Sequence, residues 1–279
     1  MSDNNVFQLN VKEILRTKAP KLYKKIPGFV ITGLAKLVCQ EKLNEIIRKN
    51  AGVTGVDFMQ NLVQDFHLTL HLKGTENLPE VDKPCIFASN HPLGGLDGIC
   101  LSAILGKHYN KKVRYLVNDI LYFIRPLQDI FVPVNKHGAQ AKSAVEAMNE
   151  AFLSDNQIIT FPAGLCSRKT NGVIHDPEWK KMFITKAVEY QRDIVPVYFE
   201  ARNSNLFYTI ANGRKKLHIG FNLEMLLLPS EMFKAAGSTF TVYFGKPVPW
   251  QTFDASKTPQ QWAKEMENRT YDTKNNTKK

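Results

Sequence analysis

The chain has 279 residues, 43% of them hydrophobic, with a net charge of +11; this suits one large α/β domain with a substantial core, or one domain with an N-terminal appendage. Four scattered cysteines, Cys39, Cys85, Cys100 and Cys166, argue against a disulfide framework or a zinc site and suit a reducing cytoplasm. The excess of cations predicts an anionic partner: nucleic acid, an anionic membrane surface or an acidic carrier protein.

The first ten residues, MSDNNVFQLN, are polar and show no signal-peptide h-region. The longest nearly apolar stretch, 29–39, is interrupted by Lys36. It falls short of the roughly 20 residues that a spanning helix needs, so no membrane span is expected. Residues 1–50 carry ten Lys/Arg against four acids. Residues 8–50 read as two helical segments broken by Pro20 and Pro27. Leu34, Leu37, Val38, Leu43, Ile46 and Ile47 recur there at helical spacing among lysines and arginines. Such a segment either packs on the domain or lies on anionic lipid, and different faces can do both.

From residue 68 strand and helix signals alternate. Strands are predicted at 68–73, 84–89, 113–117, 130–134, 157–162, 194–199 and 239–245. Helices are predicted at 97–106, 119–127, 138–153, 177–190 and 205–216. The pattern predicts an α/β fold, a mostly parallel sheet flanked by helices, with an N-terminal helical hairpin. The expected division is 1–66 as a basic amphipathic helical segment, 67–265 as the α/β domain and 266–279 as a polar tail, whose end, YDTKNNTKK, is expected to be disordered. His67 and His71 lie in an alternating stretch, FHLTLHLKG, and are expected to share a strand face rather than bind a metal.

Three stretches carry chemistry. In SNHPLGGLDG, residues 89–98, an apolar strand runs into His91, then Gly94 and Gly95, then Asp97 ahead of an apolar helix. A histidine at a strand's carboxyl end can act as general base, and an aspartate can fix its tautomer. The same residues also read as an ordinary turn and helix N-cap, and spacing alone does not separate the two. As a phosphate loop the stretch lacks the required glycine pattern and lysine.

In ITFPAGLCSRKTNG, residues 159–172, a strand again ends in a turn, here Phe161, Pro162 and Gly164, followed by Ser167 and Arg168. Arginine with serine suits a carboxylate or phosphate headgroup, and Gly164 allows close backbone approach; a solvated basic loop reads equally well. FVPVNKHG (131–138) and DIVPVYFEARNS (193–204) each place a proline in a buried-looking strand, which is tolerated at an edge, a first position or a bulge.

Taken in order, Asn-His…Asp, VPVN, FPAG..SR and IVPVYF resemble the motifs of the glycerolipid (lysophosphatidate-type) acyltransferase family. The likeness covers residues 84–200 well, and YFGKPV (243–248) extends it. It is nearest to a bacterial hemolysin-like branch that O-acylates lyso-ornithine or lyso-glycine lipids.

The resemblance implies O-acyl transfer from acyl-carrier protein or acyl-CoA to a lyso-lipid hydroxyl in membrane lipid synthesis. His91 would be the general base oriented by Asp97. Gly94, Gly95, Asn135, Lys136, Phe161, Pro162, Gly164, Ser167 and Arg168 would contact substrate. The oxyanion would take backbone N–H groups near Gly94–Gly95 or Gly164. Cys166 is expected to be a buried structural thiol, not a nucleophile. No metal or cofactor beyond the thioester co-substrate is implied. The implied location is the cytoplasmic, inner face of the membrane, held peripherally.

Three departures from the family pattern stand out: five residues, not four, between His91 and Asp97; Ala163 at the third motif's glutamate; no arginine in the second motif, where Asn135 and Lys136 stand nearest. They weaken 1-acylglycerol-3-phosphate as acceptor and leave the transfer machinery in place. Residues 99–105, 120–124 and 223–228 are candidate acyl-groove linings that read equally as core. A non-catalytic lipid-binding or membrane-active protein is the alternative reading. No nucleic-acid-binding signature is present, so nucleic acid is not an expected partner.

Overall fold

The computed structural model describes residues 7–117, 124–134, 141–218, 220 and 222–276. The N-terminal part forms α1 (Val11–Lys18), α2 (Pro20–Tyr23), α3 (Gly28–Leu37), α4 (Gln40–Lys49) and α5 (Gly55–Asp65). Pro20 opens α2, and Pro27 is the N-cap of α3, where a missing N–H does no harm. Cys39 in the left-handed region breaks α3 from α4, so the predicted apolar stripe is shared between two helices. Its α4 end packs inward, with Ile47 buried, whereas Phe29 on α3 is 78% exposed.

The strands β1 (Thr69–Lys73), β2 (Ile86–Ser89), β3 (Val113–Val117), β4 (Phe131–Pro133), β5 (Gln157–Thr160), β6 (Arg168–Thr170), β7 (Val173–His175), β8 (Ile194–Glu200) and β9 (Thr239–Phe244) follow. Seven of them form one sheet in the order β1-β9-β8-β2-β5-β3-β4, parallel throughout except for β8 with β9. β6 and β7 pair as a separate antiparallel hairpin.

The later helices are α6 (Gly95–His108), α7 (Ala141–Leu153), α8 (Met182–Glu189), α9 (Asn205–Lys216), α10 (Leu228–Lys234) and α11 (Pro259–Asn276). Alternate strand residues serve opposite layers. Phe87, Ile159, Val195 and Val197 join Met59 and Leu62 of α5 and Leu101 of α6. Ile86, Ala88, Ile158 and Ile194 join Phe152 of α7, Phe183 of α8 and Trp262 of α11. All four β2 residues are buried, as befits a strand covered on both faces.

The mostly parallel sheet is as expected, and four details differ. The end YDTKNNTKK is not disordered from its start: α11 continues to Asn276, because Glu267, Thr270 and Thr273 are buried against the domain. α8 begins at Met182, not 177, because residues 176–180 run irregularly to seat Asp176 and Trp179 in the interior. His67 sits in a left-handed turn after α5, outside β1, so it does not share a strand face with His71. Of the helix predicted at 119–127, residues 118–123 lie outside the described residues, and Arg125–Leu127 is a 3-10 turn.

Both strand prolines follow the tolerance rule. Pro133 ends β4, an edge strand. Pro196 lies in the interior strand β8, at a bulge. Between the pairs Ile194↔Val248 and Val197↔Phe244, two residues of β8 face three of the partner chain. Gly245 makes that bulge possible: a Cβ there would stand 2.7 Å from the Pro196 ring and 2.9 Å from Thr273 Oγ1. Gly245→Ala is expected to lower stability by about 1–3 kcal/mol, as overpacking does, read by thermal or denaturant unfolding.

Candidate active site

β2 delivers the site. After Ser89 the chain leaves the sheet, and Asn90 continues its hydrogen bonding with a side chain: Phe199 N–H donates to Asn90 Oδ1 (2.7 Å), and Asn90 Nδ2 donates to Phe199 O (3.0 Å). Asn203 Nδ2 donates to Pro92 O at 2.9 Å, so the turn is tied to the end of β8 twice. Gly94 then turns at φ +78° into α6. A Cβ at Gly94 would lie 2.7 Å from Leu228 Cδ1 and 3.0 Å from Cys166 Sγ, so glycine is required by conformation and by space. Gly95 has open space around its Cα.

His91 Nδ1 stands 3.0 Å from Asp97 Oδ1, with Asp97 fully buried and His91 14% exposed. The ring N–H is out of line for a hydrogen bond, and a small rotation of the imidazole would close it. Asp97 is the third residue of α6, not its N-cap, which is Gly94. Its Oδ2 accepts from Leu93 N–H (2.9 Å) and its Oδ1 from Gly98 N–H (2.9 Å), so the helix start orients the carboxylate. The turn reading thus survives in altered form, with the aspartate reaching back to the residue before the cap.

The opposite face of the His91 ring lies against Phe161, centroids 4.1 Å apart. Behind Phe161 come Tyr115 and Phe131, edge to face. Burial opposes charging the imidazole, but the Asp97 carboxylate, aided by Asp176, outweighs it and holds the His91 pKa above its ordinary value; Arg168 acts the other way. Such a ring is a base whose conjugate acid is well supported.

The second turn closes over the first. Ser167 N–H donates to His91 O at 2.8 Å, and Gly164 N–H donates to Phe161 O at 2.9 Å. Ser167 is buried and its hydroxyl donates to Asp176 Oδ1 at 2.6 Å. Arg168 Nη2 meets Glu224 at 2.8 Å while Nη1 donates to Cys166 O at 2.7 Å. Glu224, fully buried, also pairs with Arg214 at 3.0 Å. Two guanidinium groups around one carboxylate leave a net positive charge beside the turn. Burial pushes the Cys166 thiol pKa upward, as expected of an inert structural cysteine.

The predicted His91, Asp97, Gly94, Gly95, Phe161, Pro162, Gly164, Ser167 and Arg168 are thus brought to the carboxyl ends of β2 and β5. Asn135 and Lys136 lie outside the described residues. Of the candidate groove linings, Ile99–Leu105 belongs largely to the core. Leu223–Leu228 does not: apart from the buried Glu224 it is partly buried or exposed, and Leu227 and Leu228 pack on Cys166, Phe207 and Tyr208 above Gly94. Of 120–124, only Ile124 is described. A cleft of about 290 Å³ runs along Asn90, Pro92, Ser167, Tyr198 and Tyr271, beside the His91 turn. A second hollow, by Pro84 and Arg192, lies at the other end of β2, away from the chemistry.

A family model described as "Acyltransferase" matches residues 13–278. The chain belongs to this acyltransferase family. It is 51% identical to a lyso-glycine lipid O-acyltransferase of Bacteroides thetaiotaomicron, over 97% of this chain and 99% of that protein. It is 50% identical to a lyso-glycine lipid O-acyltransferase of Phocaeicola vulgatus, over 94% of each. The crystal structure of the 1-acyl-sn-glycerophosphate acyltransferase PlsC from Thermotoga maritima superposes with a TM-score of 0.46 and 15% identity, covering 86% of this chain and 90% of that one.

Around the candidate site of this acyltransferase, Asp176, Glu224, Arg214 and Asn203 were not singled out by sequence. Asp176 follows a short hairpin and precedes a proline, with no periodic pattern around it. Glu224 sits in the apolar run LEMLLL, and that lone charge was the available signal. No helix among the described residues is long and apolar enough to cross a membrane.

Proposed function

We propose that this acyltransferase moves a fatty acyl group from an acyl-carrier-protein or CoA thioester to the hydroxyl of a lyso-glycine lipid. The observation that carries the chemistry is the His91–Asp97 pair, 3.0 Å apart at the end of β2. His91 Nε2 takes the hydroxyl proton as the oxygen attacks the thioester carbonyl. Asp97 holds Nδ1 protonated and stabilises the imidazolium that forms. Collapse of the tetrahedral intermediate expels the thiolate, which receives the proton from His91. The Gly164 N–H is engaged by Phe161 O, so the oxyanion is assigned to the first turn of α6 at Gly94–Gly95, where a helix's first N–H groups lack intrahelical partners and its dipole is positive.

The acceptor assignment is supported by the two relatives and by the cationic character of the turn. Arg168 has both terminal nitrogens engaged, by Glu224 and by the Cys166 carbonyl, and with Arg214 it leaves a positive charge that suits a headgroup carboxylate. Ala163 in place of glutamate and a second motif without arginine argue against 1-acylglycerol-3-phosphate. Ser167 serves by holding the turn, since its hydroxyl is bound to Asp176. The exposed Phe29 and the basic N-terminal helices suit peripheral contact with the anionic inner face of the membrane. The basic surface also suits an acidic carrier protein.

The test is transfer of a labelled acyl chain from acyl-carrier protein or acyl-CoA, offering lyso-glycine lipid, lyso-ornithine lipid and 1-acylglycerol-3-phosphate in parallel. Preferential use of the glycine lipid is expected; equal or better use of the phosphate acceptor overturns the acceptor assignment. Vesicle binding without transfer to any acceptor favours the non-catalytic reading. Arg168→Lys keeps the charge beside Glu224 but loses the fork that also holds the Cys166 carbonyl. Its KM for the glycine lipid is expected to rise about tenfold with kcat nearly unchanged.

A further inference from the structure

We infer that Asp176 is a positioning residue of the reaction, fixing His91 through its backbone while adding a second negative charge behind the ring. The inference rests on the acyl-transfer reading above for its role in turnover, though not for its effect on His91.

Asp176 is 7% exposed and gathers three donors. The His91 N–H reaches both carboxylate oxygens at 3.2 Å, Ser167 Oγ donates to Oδ1 at 2.6 Å, and Trp179 Nε1 donates to Oδ2 at 2.9 Å. Its own N–H donates to the Tyr271 hydroxyl at 2.8 Å, which brings α11 into the arrangement. His175, its neighbour, stacks on Tyr271 with centroids 3.9 Å apart and stands 3.5 Å from Glu267. A carboxylate this buried is costly to hold in place unless its lone pairs are filled, and here the distant His91 turn fills them together with the nearer Ser167 and Trp179.

The consequence for His91 is geometric. Its N–H is held by Asp176 and its C=O by the Ser167 N–H, so the two peptide planes that flank its Cα are each held. Only the two side-chain torsions remain, and Phe161 and Asp97 bound those. The base is therefore placed from three directions, and the clamp couples the His91 turn to the Arg168-bearing turn through one carboxylate.

The second consequence is electrostatic. The charged groups facing the imidazole are Asp97 from α6, Asp176 from the segment after β7, and Arg168 from β6. As proton transfer turns the ring into imidazolium, Asp97 and Asp176 oppose the repulsion from Arg168. Burial works against the Asp176 charge and raises its own pKa, while the three donors and the nearby imidazole favour ionisation. An amide at 176 would lose the charge and one of the two acceptor oxygens together, whereas a glutamate would keep both and displace them, so the two variants separate charge from placement.

The experiment compares wild type, Asp176→Asn and Asp176→Glu, using histidine-labelled protein whose His91 signal is assigned with His91→Gln. In a folded Asp176→Asn protein the His91 titration midpoint is expected to fall by roughly 0.5–1 pH unit. Its kcat is expected to fall about ten- to a hundredfold, with KM for the acceptor changed less than about threefold. Asp176→Glu keeps the charge but displaces it: the midpoint is expected to hold while kcat falls by a similar factor. An unchanged midpoint in Asp176→Asn, or full kcat in Asp176→Glu, overturns the inference. Should Asp176→Asn fail to fold, Asp176→Glu decides alone. The titration needs no turnover, so a wild type that transfers nothing would overturn the acyl-transfer reading while leaving the clamp measurable.

Discussion

Alanine in place of His91 is expected to cut the transfer rate by about 10²- to 10⁴-fold, the range in which a positioned general base contributes. The fold should persist. The backbone N–H and C=O of residue 91 keep their partners Asp176 and Ser167, and Asp97 keeps the N–H groups of Leu93 and Gly98. What disappears is the acceptor for the hydroxyl proton, together with the imidazolium that returns it to the leaving thiolate. The measurement is single-turnover acyl transfer beside a thermal unfolding curve. A variant that folds normally and retains activity within tenfold of wild type would remove His91 from the mechanism.

For Asp97→Asn we expect a loss of about 10²- to 10⁴-fold, by analogy with the serine-protease aspartate that fixes a histidine tautomer. Its pH signature is distinctive. His91 acts as base only when neutral, so the rate rises with pH through the His91 pKa and levels off above it. Burial pushes that pKa down, and the Asp97 charge and contact more than compensate, placing it above the usual histidine value in the wild type. Removing the charge lowers it, so the acid limb should move to lower pH as the plateau falls. The amide can satisfy only one of the two backbone donors that Asp97 serves, which should also cost about 1–3 kcal/mol of stability. An acid limb that stays in place would show that Asp97 holds the turn without tuning the base.

Local pattern was enough for the seven strands of the main sheet, and not for the β6–β7 hairpin. A run such as CIFAS is apolar throughout because β2 is covered on both sides, and composition alone carries that information. The coupling of His91 to Asp97 is local too, lying within one turn and the first residues of α6. Less of what surrounds that pair was legible. Asp176 meets His91 across 85 residues of chain, and Asn90 meets Phe199 across 109. Neither pairing leaves a trace in spacing or periodicity. The end of the chain was misread for a related reason: YDTKNN is polar in composition, yet Glu267, Thr270 and Thr273, three residues apart, bury one helical face that hydropathy does not mark.

Gly94 and Gly95 show where the division falls. The sequence, through its order of motifs, was sufficient for an α/β acyltransferase with a His91–Asp97 pair. Tertiary structure decided which glycine does what. Gly94 carries the left-handed turn and lies under Leu228 and Cys166, whereas Gly95 opens onto free space at the start of α6. It likewise decided that Ser167 faces Asp176 and that Glu224, in an apolar run, holds two arginines beside the base. The physical reason is one of range. Burial patterns and turn preferences act over a few residues and are written along the chain. A buried charge is tolerated only by partners that the sheet's crossovers bring together, and those partners are set by the fold as a whole.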